Sequence, residues 1–305
     1  MRKLIYPLFS LLLLWAACST DAGEEVLVPD NDAPDYGGIP TILVENYVNR
    51  LYIDLLGREP VDAEMAQVVE ELRTGELQKA SREALVDRLM TSSDFVEGDS
   101  SYKRAYYLRI YELSKARLLE GVSDAGIRRE IGIIRADQIK DSLNGNMAAY
   151  QQRQIRIDRM RAVIDSRLEY QNGQIPINDM YGRMLQNDIY DEINMNSINF
   201  IRSCFNDLFF RFHTQAEFDN SFEIIEYNNS STIFGQAAQN KEEYVRILVY
   251  SREFYEGMIR WAYQTLLARE PSSAETRTMM EHFFTERNFQ RVQKEILVTD
   301  EYANF

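Results

Sequence analysis

An eleven-residue motif that recurs in the chain constrains the fold more than any other feature of the sequence. The string DLLGREPVDAE at 54–64 aligns without gaps on TLLAREPSSAE at 265–275, and a looser copy, DLFFRFHTQAE, lies at 207–217. A second string, SSDFVEG at 92–98, matches SREFYEG at 251–257 and, more weakly, TDEY at 299–302. Recurring units of this kind bury their apolar faces by packing against one another. The sequence therefore predicts about three related units.

The first copy has the pattern of a helix followed by a corner. Gly57 is typical of a helix end, and Pro60 keeps the residue before it out of helical dihedrals. We therefore expect an all-α fold, a helical bundle built from about three related helical repeats with a long helical insert. Before this corner, apolar residues recur at helical spacing on one stripe, at Val44, Tyr47, Val48, Leu51, Tyr52 and Leu55.

The pattern divides the chain into six segments. We predict a signal peptide at 1–17, a flexible tether at 18–40, repeat 1 at 41–100, an insert at 101–199, repeat 2 at 200–258 and repeat 3 at 259–305. Conserved spacing within the repeats places core positions at Leu55, Leu208 and Leu266, and at Phe95, Phe254 and Tyr302. The single cysteine of the predicted folded part, Cys204, is expected to be a buried small apolar residue.

Each copy of the motif carries an arginine followed six residues later by a glutamate. Thr214 and Ser272 stand three residues before this glutamate, which is the spacing of a capping box, whereas Val61 occupies the position in the first copy. We expect the arginines to hold the corner together by binding carbonyls at the end of the first helix or a carboxylate in the loop. A ligand-binding role is the alternative. The three pairs are Arg58 and Glu64, Arg211 and Glu217, and Arg269 and Glu275.

The strings LYIDLLGREP at 51–60 and LVDRLMTSSDF at 85–95 resemble a small helical domain of unknown function found in bacterial surface proteins. They also resemble a domain that accompanies cytochrome c modules in planctomycete proteins. The stretch at 246–255, with the repeat around it, is similar to the helical repeat of phycobilisome linker polypeptides, which hold subunits together. These resemblances imply helices and a role in assembly, and they imply no catalytic residues.

The first eighteen residues indicate where the protein is sent. Arg2 and Lys3 precede an apolar run at 4–17 that is too short to cross a hydrocarbon layer, which takes about 20 helical residues. The run ends in LWAAC at 14–18, which resembles the lipobox of bacterial lipoproteins. This resemblance implies a diacylglyceryl group and an acyl chain on Cys18, and we expect no other cofactor. An ordinary signal peptide and an uncleaved anchor are the alternatives.

The resemblance further implies retention in the outer membrane of a Gram-negative host, because Ser19 replaces the aspartate that marks inner-membrane retention. Asp21, Glu24 and Glu25 resemble the surface-export signals of lipoproteins in the Bacteroidetes. The periplasmic face and the cell surface both remain open. The segment at 18–40 is rich in proline, glycine and acidic residues and has no apolar period, which predicts a tether with a reach of about 70 Å.

The insert contains the segment with the highest density of arginine. Five arginines lie between 153 and 167 around a narrow apolar stripe formed by Ile157, Met160, Ile164 and Leu168. Such a stripe is typical of a projecting helical hairpin, and an outer helix of one continuous bundle fits it equally well.

Neither the composition of the chain nor its sequence motifs indicate an enzyme. The net charge of -14 disfavours binding of nucleic acid and of anionic lipid headgroups, because like charges repel at long range. His213 and His282 have no partner at metal-ligand spacing, and the motifs of serine hydrolases and nucleotide enzymes are absent from the sequence. Acidic pairs such as Glu70 with Glu71 and Glu242 with Glu243 are typical of solvated surfaces, although a carboxylate enzyme stays a third hypothesis.

We therefore expect a lipid-anchored, non-catalytic helical scaffold or accessory subunit of an outer-membrane protein complex. Its partners would be the outer membrane, through the lipid, and a membrane-protein complex. The alternative is a surface lipoprotein that binds glycan or peptidoglycan. The 18 Tyr, 15 Phe and 2 Trp residues fit a helical core and a protein interface equally.

Overall fold

The computed structural model describes residues 38–305, of which residues 40–305 form one compact unit. Cys18, the predicted signal peptide and nearly all of the predicted tether lie outside the described residues. Within the described part, fifteen helices and one short antiparallel strand pair confirm the predicted all-α helical bundle. None of these helices is both long enough and apolar enough to span a membrane.

In residues 38–305 the helices are distributed over three units and the insert. The first unit contains α1 (Thr41–Leu56), α2 (Asp62–Thr74) and α3 (Lys79–Thr91). The insert contains α4 (Tyr102–Leu118), α5 (Asp124–Leu143), α6 (Met147–Gln171), α7 (Ile177–Leu185) and α8 (Asp188–Asn194). The second unit contains α9 (Ser197–Phe209), α10 (Gln215–Tyr227), β1 (Ser231–Ile233), β2 (Gln236–Ala238) and α11 (Lys241–Val249). The third contains α12 (Arg252–Leu267), α13 (Ser273–Glu286), α14 (Phe289–Leu297) and α15 (Asp300–Ala303).

The second and third units share a helix. The helix α12 begins at the motif that ends the second unit and finishes at the corner of the third, so it crosses the expected boundary between 258 and 259. Gly257 lies on this helix, and a Cβ atom placed there would stand 1.9 Å from the carbonyl oxygen of Leu208 on α9. The glycine therefore lets α9 and α12 approach each other closely.

The third unit packs back onto the first. The helices α14 and α15 contact α3 and α1, respectively. Arg50 on α1 donates to the carbonyl oxygens of Tyr302 at 2.6 Å and Leu266 at 2.8 Å, and the Tyr302 hydroxyl donates to Asp54 at 2.7 Å. Side chains of α1 thus supply hydrogen-bond partners to two backbone carbonyls and one tyrosine hydroxyl of the third unit.

The core contains many tyrosines. Buried tyrosines contribute a large apolar area, and their hydroxyls need partners. The fully buried tyrosines include Tyr47, Tyr52, Tyr106, Tyr111, Tyr181, Tyr190, Tyr244, Tyr255 and Tyr302.

Cys204 is also buried, as predicted for a small apolar residue, and burial raises the pKa of its thiol.

One core prediction is wrong, and one position of the predicted apolar stripe in the insert is exposed. Phe95 is 82% exposed, because the chain between α3 and α4 forms a loop in the first unit, where the matching segments of the other two units begin a helix directly. Leu168 is exposed as well. The buried side of α6 passes through Val163 and Ser166 to Tyr170, so the face that packs on the bundle turns away from Leu168.

The helices α5 and α6 form an antiparallel hairpin. The helix α5 packs chiefly along α6, which in turn contacts α4 and α7. At the base of the hairpin, the buried Lys115 ammonium donates to Asp124 at 2.9 Å, and the Tyr111 hydroxyl donates to the same carboxylate at 2.7 Å. This charged and hydrogen-bonded contact fixes the start of α5 against α4.

Candidate functional site

The three repeat corners have the same geometry, built around the arginine and the glutamate that the motif contains. At the second corner, Arg211 donates to both carboxylate oxygens of Glu217, at 3.0 and 2.7 Å, and to the carbonyl oxygen of Phe212 at 3.0 Å. It also donates to Glu253 at 2.8 and 2.9 Å. A planar guanidinium matches two carboxylates of this kind because its donors form a rigid fork.

The third corner repeats this arrangement. Arg269 donates to Glu275 at 3.0 and 2.7 Å and to Glu301 at 2.6 and 2.7 Å. The first corner differs in its second acid: Arg58 donates to Glu64 at 2.7 and 2.8 Å and to Asp99 at 2.6 Å. The structure therefore brings together every arginine and glutamate pair named from the sequence, and each arginine binds both a carboxylate and a backbone carbonyl.

The glutamate of each corner also starts the following helix. Its carboxylate accepts a hydrogen bond from the backbone amide three residues earlier, at 2.9 Å from Val61, 2.7 Å from Thr214 and 2.7 Å from Ser272. In the first corner the Tyr102 hydroxyl donates to Glu64 at 2.7 Å, so a tyrosine from α4 supplies a hydrogen bond beside the valine cap. One carboxylate thus caps a helix and fixes an arginine in the same corner.

An aromatic ring covers each corner arginine. The guanidinium carbon lies 5.4, 5.0 and 5.0 Å from the ring centroid of the aromatic residue six positions earlier, respectively. The donors of each arginine bind carboxylates and carbonyls, and one face of its guanidinium stacks on a ring. The corners therefore hold the helices together. The three rings are those of Tyr52, Phe205 and Tyr263.

The corner carboxylates are strong acids. Burial opposes the ionisation of Glu217, but hydrogen bonds from Arg211 and Thr214 outweigh it and lower the pKa of this carboxyl to about 2. The hydrogen bonds from Arg269 lower the pKa of Glu275 to about 2, against a smaller opposing effect of burial. A carboxylate held in this state is a poor general acid or base near neutral pH.

The second acid of each corner was not identified as a site residue from the sequence. In two copies the sequence did contain a signal for this acid. Glu253 and Glu301 occupy the same position of the second recurring string, two residues after Ser251 and Thr299. Asp99 has no such signal, since it belongs to the loop before α4.

The two histidines have different neighbours. His213 contacts the rings of Phe205 and Phe218, and the His282 Nε2 atom lies 3.1 Å from a carboxylate oxygen of Glu295. In the described residues 38–305, no group of three or more His, Cys, Asp or Glu side chains is arranged to hold a metal ion. Glu71 pairs with Arg88 at 2.7 Å, and the Glu243 carboxylate accepts a hydrogen bond from the Gln239 backbone amide at 2.8 Å, so these acids have structural partners.

Rings continue along the surface of α10. The centroids of neighbouring rings are 4.9, 5.8 and 5.6 Å apart, and the two phenylalanine planes differ by only 20°. Phe212, just before this helix, is 85% exposed, and Tyr227 at its end is 58% exposed. A helix of this length presents the rings over about 20 Å. We name this set the aromatic row: Phe212, His213, Phe218, Phe222 and Tyr227.

Clefts between the units are lined mainly by charged side chains. One, of about 640 Å³, lies between α3, α13 and α14 and includes Asp87, Lys294 and Arg291. Lys294 pairs with Asp87 at 3.0 Å, and Arg291 pairs with Glu295 at 3.0 Å. The Lys294 and Asp87 pair therefore connects α14 to α3 across the cleft, whereas the Arg291 and Glu295 pair lies within α14.

Comparison of the chain with family models, curated proteins and solved structures gave no match. The function is therefore inferred from the geometry and chemistry of the chain itself.

Proposed function

We propose that the protein is a lipid-anchored, non-catalytic helical scaffold or accessory subunit of an outer-membrane protein complex. It is attached to the membrane through a lipid on Cys18 and docks on a partner protein through the aromatic row. The lipobox-like string at 14–18 supports the anchor. Both faces of the outer membrane are compatible with this anchor.

The aromatic row carries the proposal for docking. Large apolar rings that stay at the surface are enriched at protein interfaces, where a few aromatic residues supply much of the binding energy. Phe212 is such a ring, because it is exposed at the surface. The guanidinium of the neighbouring Arg211, in contrast, is hydrogen-bonded within the corner. The corners hold the shape, and the row on α10 presents the contact surface.

The anchor is tested by mass spectrometry of the mature protein from its natural host. We expect the peptide that begins at Cys18 to carry a diacylglyceryl group and an acyl chain, and the Cys18→Ala variant to leave the membrane fraction. An unmodified Cys18 in the mature chain would refute the anchor.

Docking is tested by quantitative copurification from gently solubilised membranes. The double variant Phe212→Ser with Tyr227→Ser should lose its partner by at least about tenfold, the effect expected when two interface aromatics are truncated. Phe95→Ser is the matched control, because Phe95 is as exposed as Phe212 but lies in the loop before α4. Recovery of the wild-type protein only as a free monomer would contradict the scaffold role.

A second candidate function is the binding of glycan or peptidoglycan. The nearly parallel rings of Phe218 and Phe222 favour it, because flat apolar ring faces side by side can receive the apolar face of a sugar. Retention of the wild-type chain on insoluble cell wall, lost in Phe222→Ala, would support this function. Absence of retention would reject it.

A further inference from the structure

The outer side of α5 differs in charge from the rest of the molecule. The whole chain has 34 Lys and Arg against 48 Asp and Glu, but the hairpin at 124–171 has nine basic residues against seven acidic ones. None of the exposed residues of α5 is acidic, and Arg128, Arg129, Arg135 and Lys140 are among them. We name these exposed residues, between 125 and 143, the outward face of α5.

Three cations of this face are unused by the fold. Arg128, Arg129 and Arg135 have no carboxylate within 4.0 Å in the part of the chain that the structure describes. Three of the four acids of α5 are paired: Asp124 binds Lys115, Asp141 binds Arg153 at 2.5 Å, and Asp137 binds Lys140 of the outward face at 2.8 Å. The positive charge of the outward face therefore comes from the three unpaired arginines, with the half-buried Glu130 as the remaining acid of the helix.

Apolar side chains are exposed at the free end of the hairpin, where α5 ends and α6 begins. Between 139 and 148 every residue except Asp141 is exposed. Leu143 is 82% exposed, and Ile139 and Met147 are each more than half exposed. A helix surface that combines cations with apolar side chains is typical of segments that lie on an anionic membrane surface.

We propose that the outward face of α5 binds an anionic lipid surface. Its arginines lie over the headgroups, and Ile139 and Leu143 enter the boundary between headgroups and acyl chains. From Arg128 to Leu143 the contact extends for about 22 Å along the helix. This inference goes beyond the proposed function and does not depend on the partner of the aromatic row.

Two other occupants fit this face less well. A second copy packed along α5 in the same direction would place arginine against arginine, which is repulsive. An acidic partner protein would match the charge but would leave the exposed Ile139 and Leu143 unaccounted for. An anionic lipid surface takes up both the arginines and these apolar side chains.

The test is cosedimentation of residues 40–305 with phosphatidylcholine vesicles that contain no phosphatidylglycerol or about 30% of it. Residues 40–305 form one compact unit with its own core, and without Cys18 no covalent lipid contributes to binding. We expect binding only to the anionic vesicles, weakening as salt rises above about 0.1 M.

The triple variant Arg128→Gln, Arg129→Gln, Arg135→Gln should lose about 100-fold in affinity, because each cation near an anionic surface contributes about fivefold. The matched control is Arg202→Gln, Arg246→Gln, Arg277→Gln, three exposed arginines on α9, α11 and α13 that should leave binding unchanged. Leu143→Ser should also weaken binding, whereas the exposed Leu168→Ser should not.

Circular dichroism of each variant shows whether it is folded, and only folded variants are compared. Equal binding to both vesicle types, equal loss in the two triple variants, or no vesicle binding by the wild-type unit would overturn the proposal. An acidic protein that cross-links to the outward face of a unit that binds no vesicles would identify the other occupant. None of these results bears on docking through the aromatic row, so the two proposals fail separately.

Discussion

The arginines of the repeat corners and those of α5 are used differently. Arg211 and Arg269 each bind two carboxylates and a carbonyl, and each stacks on a ring. Arg128 and Arg135 have no carboxylate partner within the described residues. In a chain with an excess of acid, paired cations are needed for the fold, and unpaired cations are available for contact with other molecules. The comparison separates a structural region from the region for which we propose binding.

The sharpest contrast in stability involves two glycines. Gly257→Ala should destabilise the protein by about 3 kcal/mol, because the new Cβ would overlap the carbonyl oxygen of Leu208. Gly132→Ala, on the outward face of α5, meets nothing within 4 Å and should stabilise the fold by about 0.5 kcal/mol through helix propensity. Urea denaturation measures both, and similar effects at the two positions would contradict the close approach of α9 and α12.

The arginines should divide in the same way. Arg211→Ala should cost about 2 kcal/mol, because it leaves Glu217 and Glu253 without their charged partner. Arg128→Ala should change the unfolding free energy by less than about 0.5 kcal/mol. Arg211→Lys should recover only part of the loss, since an ammonium cannot reproduce the two-pronged contact. Equal costs at Arg211 and Arg128 would remove the distinction between the regions.

The corner carboxylates should make stability depend on acid pH. Glu217 and Glu275 have a pKa of about 2 in the folded chain, below their ordinary value of 4.5. Because the unfolded chain takes up these protons first, their contribution is complete above about pH 4.5 and is lost as the pH falls towards 2. Denaturation midpoints between pH 7 and pH 2 should fall less steeply in the double variant Glu217→Gln with Glu275→Gln. An identical pH profile in this variant would show that these groups do not carry the effect.

The smallest effect on stability is expected in the aromatic row. Phe212→Ser should change the unfolding free energy by less than about 0.5 kcal/mol, because the ring is exposed and the corner uses only the backbone carbonyl of this residue. A loss above about 1.5 kcal/mol would show that the ring serves the fold.

The sequence predicted the repeated features well where a local rule determines them. Helical spacing placed the stripe of α1, and the capping-box spacing placed Glu217 and Glu275 at helix starts. The second acid at each corner comes from a distant helix or loop, so no local rule could assign it. Phe95 was placed wrongly because its string resembles a helix start, but the loop that follows moves that start to Ser101. Cys18 stays a prediction.

The exposed arginines of α5 were beyond sequence reasoning for a related reason. The narrow stripe predicted for the insert indicates a thin helical contact, but which arginines find acids across that contact depends on how α6 packs. Arg153 reaches Asp141 and Arg156 reaches Asp188, while those on the outer side of α5 reach none within the described chain.

Hydrogen exchange tests the central claim, that the corners hold the fold and the exposed surfaces make the contacts. The protein would be compared as it is gently extracted from the membranes of its host, with any bound partner, and as a purified monomer. We predict slower exchange across α10 in the complex, with unchanged exchange in the helices that surround the Arg58 and Arg269 corners. Identical exchange of α10 in the two states, or protection confined to the corners, would contradict the account.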